Sequence, residues 1–334
     1  MTLIEPHGLL DGPAAQEAIR KGLALPLQGG PFAFMGLRDH AGAPLPLAAA
    51  PAALTTPPPA FAGIARHGFR PLVMGIVNCT PDSFSGDGRA AHEAAIAHGH
   101  ALRAEGADIL DVGGESTRPG AAPVLPEEEQ ARILPVIAAL ALGGPVSVDT
   151  RHAATMRAAL AAGAGIVNDV SALAHDPESL ATVAAAGCPV VLMHMRTLDP
   201  RTMQQGVAYT DAPREVAGHL ARRVAACEEA GIPRARIAVD PGIGFGKRVQ
   251  DNLDLVARLP LLAGLGCTIL VGASRKGFIG RITGVAEPSR RVAGSVALAL
   301  EAARRGAHIL RVHDVGATVE ALKIQEAVTM GWTE

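Results

Sequence analysis

Residues 165–193, GIVNDVSALAHDPESLATVAAAGCPVVLM, contain two short apolar runs separated by one helical segment. The runs GIVN and PVVLM are short, rich in β-branched residues and uninterrupted, which is typical of parallel strands buried on both faces. The segment between them, DPESLATVAAAG, has helical composition and ends at Gly187, where a left-handed C-cap is expected. The stretch therefore predicts one strand–helix–strand unit of a parallel sheet.

The same unit repeats along the chain from about Arg70 onward. The apolar runs are LVMGIV (72–77), DILDV (108–112), PVSV (145–148), GIVN (165–168), PVVLM (189–193), RIAVD (236–240), CTILV (267–271) and HILRV (308–312). Eight such units in roughly 260 residues match the usual size of a closed (β/α)₈ barrel. We therefore predict an α/β protein with a (β/α)₈ TIM barrel over residues 66–334. An open, doubly wound sheet is the alternative, but it would more naturally carry a GxGxxG turn after its first strand, and this chain has none there.

Residues 1–65 have a different character and are predicted to be an N-terminal extension of unknown role. Residues 42–60, GAPLPLAAAPAALTTPPPA, are rich in Pro and Ala. Proline lacks an N–H and fixes φ, so this part should be a linker or an extended packing arm. Upstream, PFAFMGLRDHAGAPLPL alternates weakly around residues 40–42, which fits a hairpin.

Composition excludes several classes of partner. The formal net charge is -2 and aromatic residues make up 3% of the 334 residues, so the chain has neither a basic field nor many stacking platforms for nucleic acid. No apolar run reaches the ~18 residues that cross a bilayer. We therefore expect no nucleic-acid partner and no membrane segment.

Cysteine usage and the first residues indicate a cytoplasmic location. The four cysteines are far apart and form no CxxC pair, which fits free thiols in a reducing compartment. The first residues, MTLIEPHGLLDGPAAQEAIRKG, lack the basic start and apolar core of a secretory signal.

Polar residues follow every predicted barrel strand. They include Asn78, Thr80 and Asp82; Asp111, Glu115 and Thr117; Asp149; Asn168; His194; Asp240 and Lys247; Ser274 and Lys276; Arg311 and His313. In a (β/α)₈ barrel the active site lies at the carboxyl ends of the strands, so these side chains should share one rim. Burying so many polar groups is costly unless a ligand or a neighbour pairs with them.

The residue types on this rim indicate its ligand chemistry. Asp149, Asn168 and Asp240 offer acceptors and an amide, which suit a flat heterocycle with a donor-rich edge. Lys276, Arg311 and His313 offer positive charge, which suits a phosphate or pyrophosphate.

Several rim residues are expected to support the site from outside it. Loops 80–88 and 115–120 have the composition of mobile covers. We expect Asp111 and Glu115 to order the second of these loops rather than to contact substrate, and His194 either to support the site from behind it or to belong to the core, rather than to bind a ligand.

Eight motifs in order, from about residue 70 to 325, carry a family resemblance. They are MGIVNCTPDSFSGDG, GADILDVGGESTRPGA, VSVDT, IVNDVSAL, VVLMHMR, VDPGIGFGK, VGASRKGFIG and RVHDV. Together they resemble the dihydropteroate synthase family of folate biosynthesis. The resemblance implies a (β/α)₈ fold and a transferase that condenses 6-hydroxymethyl-7,8-dihydropterin pyrophosphate with p-aminobenzoate, releasing pyrophosphate and 7,8-dihydropteroate. It also implies a Mg²⁺ cofactor, a homodimer built from outer helices, and inhibition by sulfonamides.

The resemblance implies a role for individual residues. It assigns the pterin site to Asp149, Asn168, Asp240 and Lys276; the pyrophosphate site to Asn78, Thr117, Arg311 and His313, with Asn78 as the Mg²⁺ ligand; and the p-aminobenzoate site to Ser274, Phe84, Pro119 and Phe245. The residues implied to take part in catalysis are Asp149, Lys276, Asp82, Thr117 and Arg118. A carboxylate beside the pterin would stabilise the cation that forms as pyrophosphate leaves, so no single residue is assigned as a catalytic base.

Two alternatives share the pterin pocket. A pterin-binding methyltransferase would use Asp149, Asn168 and Asp240 but would not need TPDSFS, ESTRPG, SRKG and RVHD as a set, and all four are present. A pterin-binding paralogue that does not condense its substrates should have lost cover-loop or pyrophosphate residues, yet Thr117 and Arg118 are retained.

Overall fold

The N-terminal extension forms a small antiparallel sheet of its own. The structure, a computed structural model, describes residues 3–66, 68–80, 88–116, 123–197 and 202–331. The sheet contains β1 (Glu5–Leu10), β2 (Leu25–Pro26), β3 (Ala33–Arg38) and β4 (Pro44–Leu45), in the order β1–β3–β2 with β4 also paired to β3. Helix α1 (Gly12–Arg20) connects β1 to β2. The pairing of β3 with β4 confirms the predicted hairpin, whose turn is closed by Asp39 Oδ1 accepting from the backbone N–H of Ala43 at 2.8 Å.

The eight predicted strands close into a parallel barrel. They are β5 (Leu72–Asn78), β6 (Ile109–Gly113), β7 (Val146–Asp149), β8 (Ile166–Asp169), β9 (Val190–Met193), β10 (Ile237–Asp240), β11 (Thr268–Val271) and β12 (Ile309–Val312). Each pairs with the next in the chain, and β12 pairs with β5 to close the ring. The prediction of a (β/α)₈ barrel is therefore confirmed.

Helices surround this ring. They are α3 (Gly88–Ala104), α4 (Pro126–Ala141), α5 (Ala153–Ala161), α6 (Ser179–Ala186), α7 (Ala212–Glu229), α8 (Val249–Ala257), α9 (Gly277–Thr283), α10 (Val292–Arg304) and α11 (Val315–Met330), and a short α2 (Ala52–Thr55) precedes the barrel. Helix α6 ends at Gly187, whose φ of 61° is the left-handed cap that its sequence predicts. Within the described residues, every helix is too short or too polar to cross a membrane.

The lower end of the barrel, at the amino ends of its strands, is filled with apolar side chains. This floor cluster consists of Phe61, Leu72, Met74, Ile109, Ile166, Val191, Ala238, Leu270 and Ile309, with Ala62 and Ile64 packed against it. Phe61 is contributed by the extension and is 3% exposed. The Pro/Ala-rich segment is thus a packing arm that is not extended throughout, because α2 lies within it, and Phe61, directly after it, lies under the barrel.

The extension also contacts the helices around the barrel. Four of its buried side chains, Leu27, Phe34, Leu37 and Leu54, belong to the same apolar cluster as the barrel helices. Glu5 accepts hydrogen bonds from Arg214 Nη2 at 2.9 Å and from Arg258 Nη2 at 2.7 Å. These two ion pairs share Glu5, which is only 9% exposed. They join the small sheet to α7 and to the end of α8.

Candidate active site

Four polar side chains meet at the upper end of the barrel, at the carboxyl ends of the strands, and are called the rim cluster below: Asp111, Asp149, Asn168 and Arg311. Arg311 donates from Nε to Asp111 Oδ2 at 2.6 Å and from Nη2 to Asp149 Oδ2 at 2.7 Å. Asn168 Nδ2 donates to the same Asp111 oxygen at 3.0 Å. Strands β6, β7, β8 and β12 therefore bring two carboxylates, an amide and a guanidinium into one network.

The rim cluster has more negative than positive charge. Burial raises the pKa of Asp149 to about 7, against the opposing effect of Arg311 and with a further contribution from Asp111. Burial also opposes the charge on Arg311, but the carboxylates of Asp111 and Asp149 outweigh it and hold the guanidinium pKa above its usual value. One guanidinium shared by two carboxylates leaves an acceptor-rich surface, which suits a ligand that donates hydrogen bonds or carries positive charge.

Asp240 adds a third carboxylate at the end of β10. It is 6% exposed, and its Oδ1 accepts from the backbone N–H of Gly242 at 2.7 Å. Burial raises the pKa of Asp240, while the backbone N–H of Gly242 and the charge on Lys276 act in the opposite direction. Position 242 requires glycine, because its φ is 66° and a Cβ there would lie 1.9 Å from the carbonyl oxygen of His194.

Lys276 and Phe245 lie together on the next side of the rim. The ammonium of Lys276 stands 4.0 Å from the centroid of the Phe245 ring, within the range of a cation–π contact. Phe245 also packs against the apolar side chains of Val170, Met193 and Met195. This patch gives a flat ring an apolar surface beside the rim carboxylates.

Ser274 and His313 form a second pair, in which Ser274 lies two residues before Lys276 in the chain. Ser274 Oγ accepts from the backbone N–H of His313 at 3.2 Å and lies 3.1 Å from its Nδ1. Arg275, between Ser274 and Lys276, has a φ of 58°, a conformation that costs a side-chain-bearing residue energy and is held here by the ion pair from Nε to Asp314 Oδ2 at 3.0 Å. The turn at Arg275 thus separates its two neighbours: Ser274 contacts His313, and Lys276 contacts Phe245.

A buried lysine that sequence reasoning did not assign organises the loop after β10. Lys247 Nζ donates to the carbonyl oxygens of Gly242 at 2.8 Å and Phe245 at 3.0 Å, and lies 3.0 Å from His194 Nδ1. Burial lowers the pKa of Lys247 to about 7 and that of His194 to about 2, so the His194 imidazole is neutral. His194 is a buried part of the structure around the loop, as the sequence predicts, and Lys247 fixes the backbone that carries Phe245.

Two residues that were expected to order the second cover loop differ in their contacts. Glu115 fits that expectation, because its Oε1 accepts from the backbone N–H of Val124 at 3.3 Å and pairs with Arg151 at 2.8 Å. Asp111 does not, since its hydrogen bonds lie inside the barrel at Asn168 and Arg311. The signal that would have placed it is strand alternation: Ile109 faces the interior, so Asp111, two residues later, does too.

The remaining predicted site residues fall into two groups. Asn78 is the last residue of β5, half-buried at the rim and in register with Gly113. Asp82, Phe84, Thr117, Arg118 and Pro119 lie outside the described residues. Within the part of the chain that the structure describes, no three or more His, Cys, Asp or Glu side chains are grouped as a metal site.

Comparison with known proteins places the chain in a family. The profile of the family described as "Pterin binding enzyme" matches residues 74–313. The "Dihydropteroate synthase" of Neisseria meningitidis serogroup B is 52% identical over 268 residues, covering 78% of this chain and 93% of that protein. A Xanthomonas albilineans dihydropteroate synthase solved with 4-aminobenzoic acid is 53% identical with a TM-score of 0.73, covering 78% of this chain and 93% of that one. The same species' enzyme in complex with 7,8-dihydropteroate is 51% identical with a TM-score of 0.70, over 78% and 94% of the two chains. The chain belongs to the pterin-binding enzyme family, among the dihydropteroate synthases.

Proposed function

We propose that this chain condenses 6-hydroxymethyl-7,8-dihydropterin pyrophosphate with p-aminobenzoate and releases pyrophosphate and 7,8-dihydropteroate. The observation that carries the proposal is the rim cluster, which presents carboxylates and an amide beside an apolar patch. The pterin ring has the matching features, because it is flat and its aminopyrimidinone edge carries adjacent N–H donors. Relatives named for this reaction favour it over the methyltransferase alternative.

The pterin end of the reaction uses Asp149, Asn168, Asp240 and Lys276. The carboxylates accept from the aminopyrimidinone edge, Asn168 fixes the ring's orientation, and Lys276 donates to a ring acceptor. When the methylene C–O bond breaks, the electron pair leaves with pyrophosphate and positive charge develops on the pterin. The carboxylates stabilise this charge, which is electrostatic rather than acid–base catalysis.

The p-aminobenzoate end uses the segment around Lys276. We assign Ser274 and Phe245 to this site, together with Phe84 and Pro119. The amine of p-aminobenzoate attacks the pterin methylene carbon with its lone pair, forms the C–N bond and then loses one proton to water or to the departing diphosphate. The amine is neutral at pH 7, so the step needs no strong base once the cation has formed.

The leaving group is assigned to Asn78, Thr117, Arg311 and His313, with Asp82 and Arg118 on the covering loops. Asn78 offers one side-chain amide at the rim, and the described residues contain no group of three or more His, Cys, Asp or Glu side chains that could hold a metal ion. This donor set fits a Mg²⁺ that takes its other ligands from the substrate's phosphates and water. Bound there, the ion would neutralise charge on the departing diphosphate.

Assembly and location are part of the proposal. We assign a homodimer formed through outer helices, supported by Ile324 and Val328 of α11, which are 64% and 78% exposed. We assign a cytoplasmic location, supported by the four cysteines, all of them buried free thiols. Light scattering on the purified chain tests the first assignment, since a monomer mass would contradict it.

A coupled assay tests the reaction itself. Purified chain with Mg²⁺ and both substrates should release pyrophosphate and form 7,8-dihydropteroate, and the dihydropteroate should depend on p-aminobenzoate. Absence of both products under all conditions would rule out the transferase.

A sulfonamide tests the p-aminobenzoate site. It carries the same aniline, so it should raise the KM for p-aminobenzoate and leave kcat unchanged. Non-competitive inhibition would contradict the assignment of Ser274.

A further inference from the structure

Asp111 is the residue through which the rim cluster is connected. Its side chain is 0% exposed, and one of its oxygens, Oδ2, accepts from both Asn168 Nδ2 and Arg311 Nε. Its other oxygen, Oδ1, is buried without a hydrogen-bond partner among the described residues. Burying a carboxylate costs free energy unless hydrogen bonds and opposite charges compensate it. The two residues that compensate Asp111 both belong to the proposed substrate site.

The position of Asp111 is one layer below the ligand surface. Strand register places it level with Ser147, whereas Asp149 is level with Gly113, two residues nearer the rim on β6. Below it on the same strand, Ile109 belongs to the floor cluster. Asp111 therefore lies between the apolar floor and the carboxylate that receives the pterin.

Two physical effects follow from this placement. With Nδ2 of Asn168 donating to a carboxylate, the orientation of that amide is fixed, because the flipped amide would point its oxygen at Asp111. The second effect concerns charge. Arg311 is shared between Asp111 and Asp149, so its guanidinium does not neutralise Asp149 alone.

We propose that Asp111 is a positioning residue of the pterin site, which orients Asn168 and shares Arg311 so that Asp149 keeps its capacity to bind the pterin edge. The inference rests on the pterin site proposed above. It assigns Asp111 to ring recognition, with no role in p-aminobenzoate binding.

The test is the Asp111→Asn variant, which keeps the shape of the side chain and removes its charge. We expect the KM for the pterin substrate to rise about 10- to 100-fold, the range that corresponds to losing a hydrogen bond to a charged group, with the KM for p-aminobenzoate unchanged. Calorimetry with 6-hydroxymethyl-7,8-dihydropterin, which lacks the diphosphate, should show the same loss of affinity. Asp111→Ala should lose more, because it leaves both neighbouring donors unpaired.

The matched control is Asp108→Asn, at the residue that directly precedes β6 on the floor side of the barrel. Asp108 Oδ2 accepts from the backbone N–H of Val73 at 2.7 Å, and the next residue, Ile109, belongs to the floor cluster. This variant should keep both KM values, so it separates the loss of a carboxylate next to β6 from the loss of the carboxylate beneath the site.

Each outcome decides between the alternatives. Wild-type pterin affinity in Asp111→Asn, or an equal rise in both KM values, would overturn the inference. Loss of the barrel's circular dichroism in that variant would also overturn it, because Asp111 would then serve folding. If wild-type chain and Asp108→Asn both fail to condense the substrates, the proposed function fails instead.

Discussion

The two ends of the barrel differ in chemistry although the same strands build both. On β6, Ile109 belongs to the apolar floor and Asp111, two residues later, belongs to the rim cluster. Strand β12 repeats the change, from Ile309 to Arg311. Inward positions alternate along a strand, so a step of two residues separates a side chain that stabilises the fold from one that binds. The lower end should therefore control stability and the upper end activity.

Phe61→Ala should give the largest effect on stability. Removing a buried aromatic side chain from the floor leaves a cavity, and we expect a loss of about 3–5 kcal/mol in the free energy of unfolding. Urea titration followed by circular dichroism measures it. The control is Phe69→Ala, since Phe69 is 37% exposed and should change stability little. A large change in substrate KM at a temperature where Phe61→Ala is folded would contradict the separation of the two ends.

Asp149→Ala should give the largest effect on activity. It removes a charged acceptor from the rim and leaves Arg311 with one carboxylate, so kcat/KM for the pterin substrate should fall about 100-fold or more. Steady-state kinetics and calorimetry with the pterin measure it. Unchanged pterin affinity would place the pocket elsewhere.

Glu129→Gln, near the rim, should change the free energy of unfolding by a smaller amount that depends on pH. Glu129 is 0% exposed and its Oε2 accepts from Thr150 Oγ1 at 2.9 Å; burial raises its pKa from 4.5 to about 7. The folded chain thus holds this proton more tightly than the unfolded chain, and the stability it contributes is present below pH 4.5 and lost as pH rises through 7. Glutamine stays neutral, so the variant should gain on the order of 2 kcal/mol over wild type at pH 8 and little at pH 4.5. Urea titrations at the two pH values measure it, and an equal difference at both would refute it.

Glu5→Gln should give the smallest effect. It removes the charge that joins the extension to Arg214 and Arg258, both partly exposed, so we expect a loss of about 1 kcal/mol in stability and no change in kcat/KM. Thermal unfolding measures it, with Glu17→Gln as the surface control, since the pairs of Glu17 with Arg20 and Lys21 are exposed. A change in KM would show that the extension acts on the rim.

The barrel was predictable because its strands are short, largely apolar runs with polar residues in or just after their carboxyl-terminal halves. The rim geometry was predictable only in part. Asp149 is the last residue of β7 and Asn168 is next to the last of β8, whereas Asp111 lies in the middle of β6 and is recognised only from the inward register of that strand. Lys247 follows a glycine-rich loop. Its burial depends on hydrogen bonds to the carbonyl oxygens of Gly242 and Phe245, which only the folded loop brings together. In the extension, β2 and β4 have two residues each, too few for a periodic signal, and Phe61 is a single aromatic residue directly after a Pro/Ala-rich stretch.

The seating of Phe61 has a consequence for the order in which the molecule folds. Its cluster includes Leu72 from the first barrel strand and Ile309 from the last, so its pocket exists only after the ring has closed. Contacts between such distant parts of the chain form late, after the entropy of closing the long intervening loop has been lost. An interaction absent from the folding transition state slows unfolding and leaves the folding rate unaffected. Phe61 should therefore slow unfolding: without it the chain should fold at the wild-type rate and unfold faster.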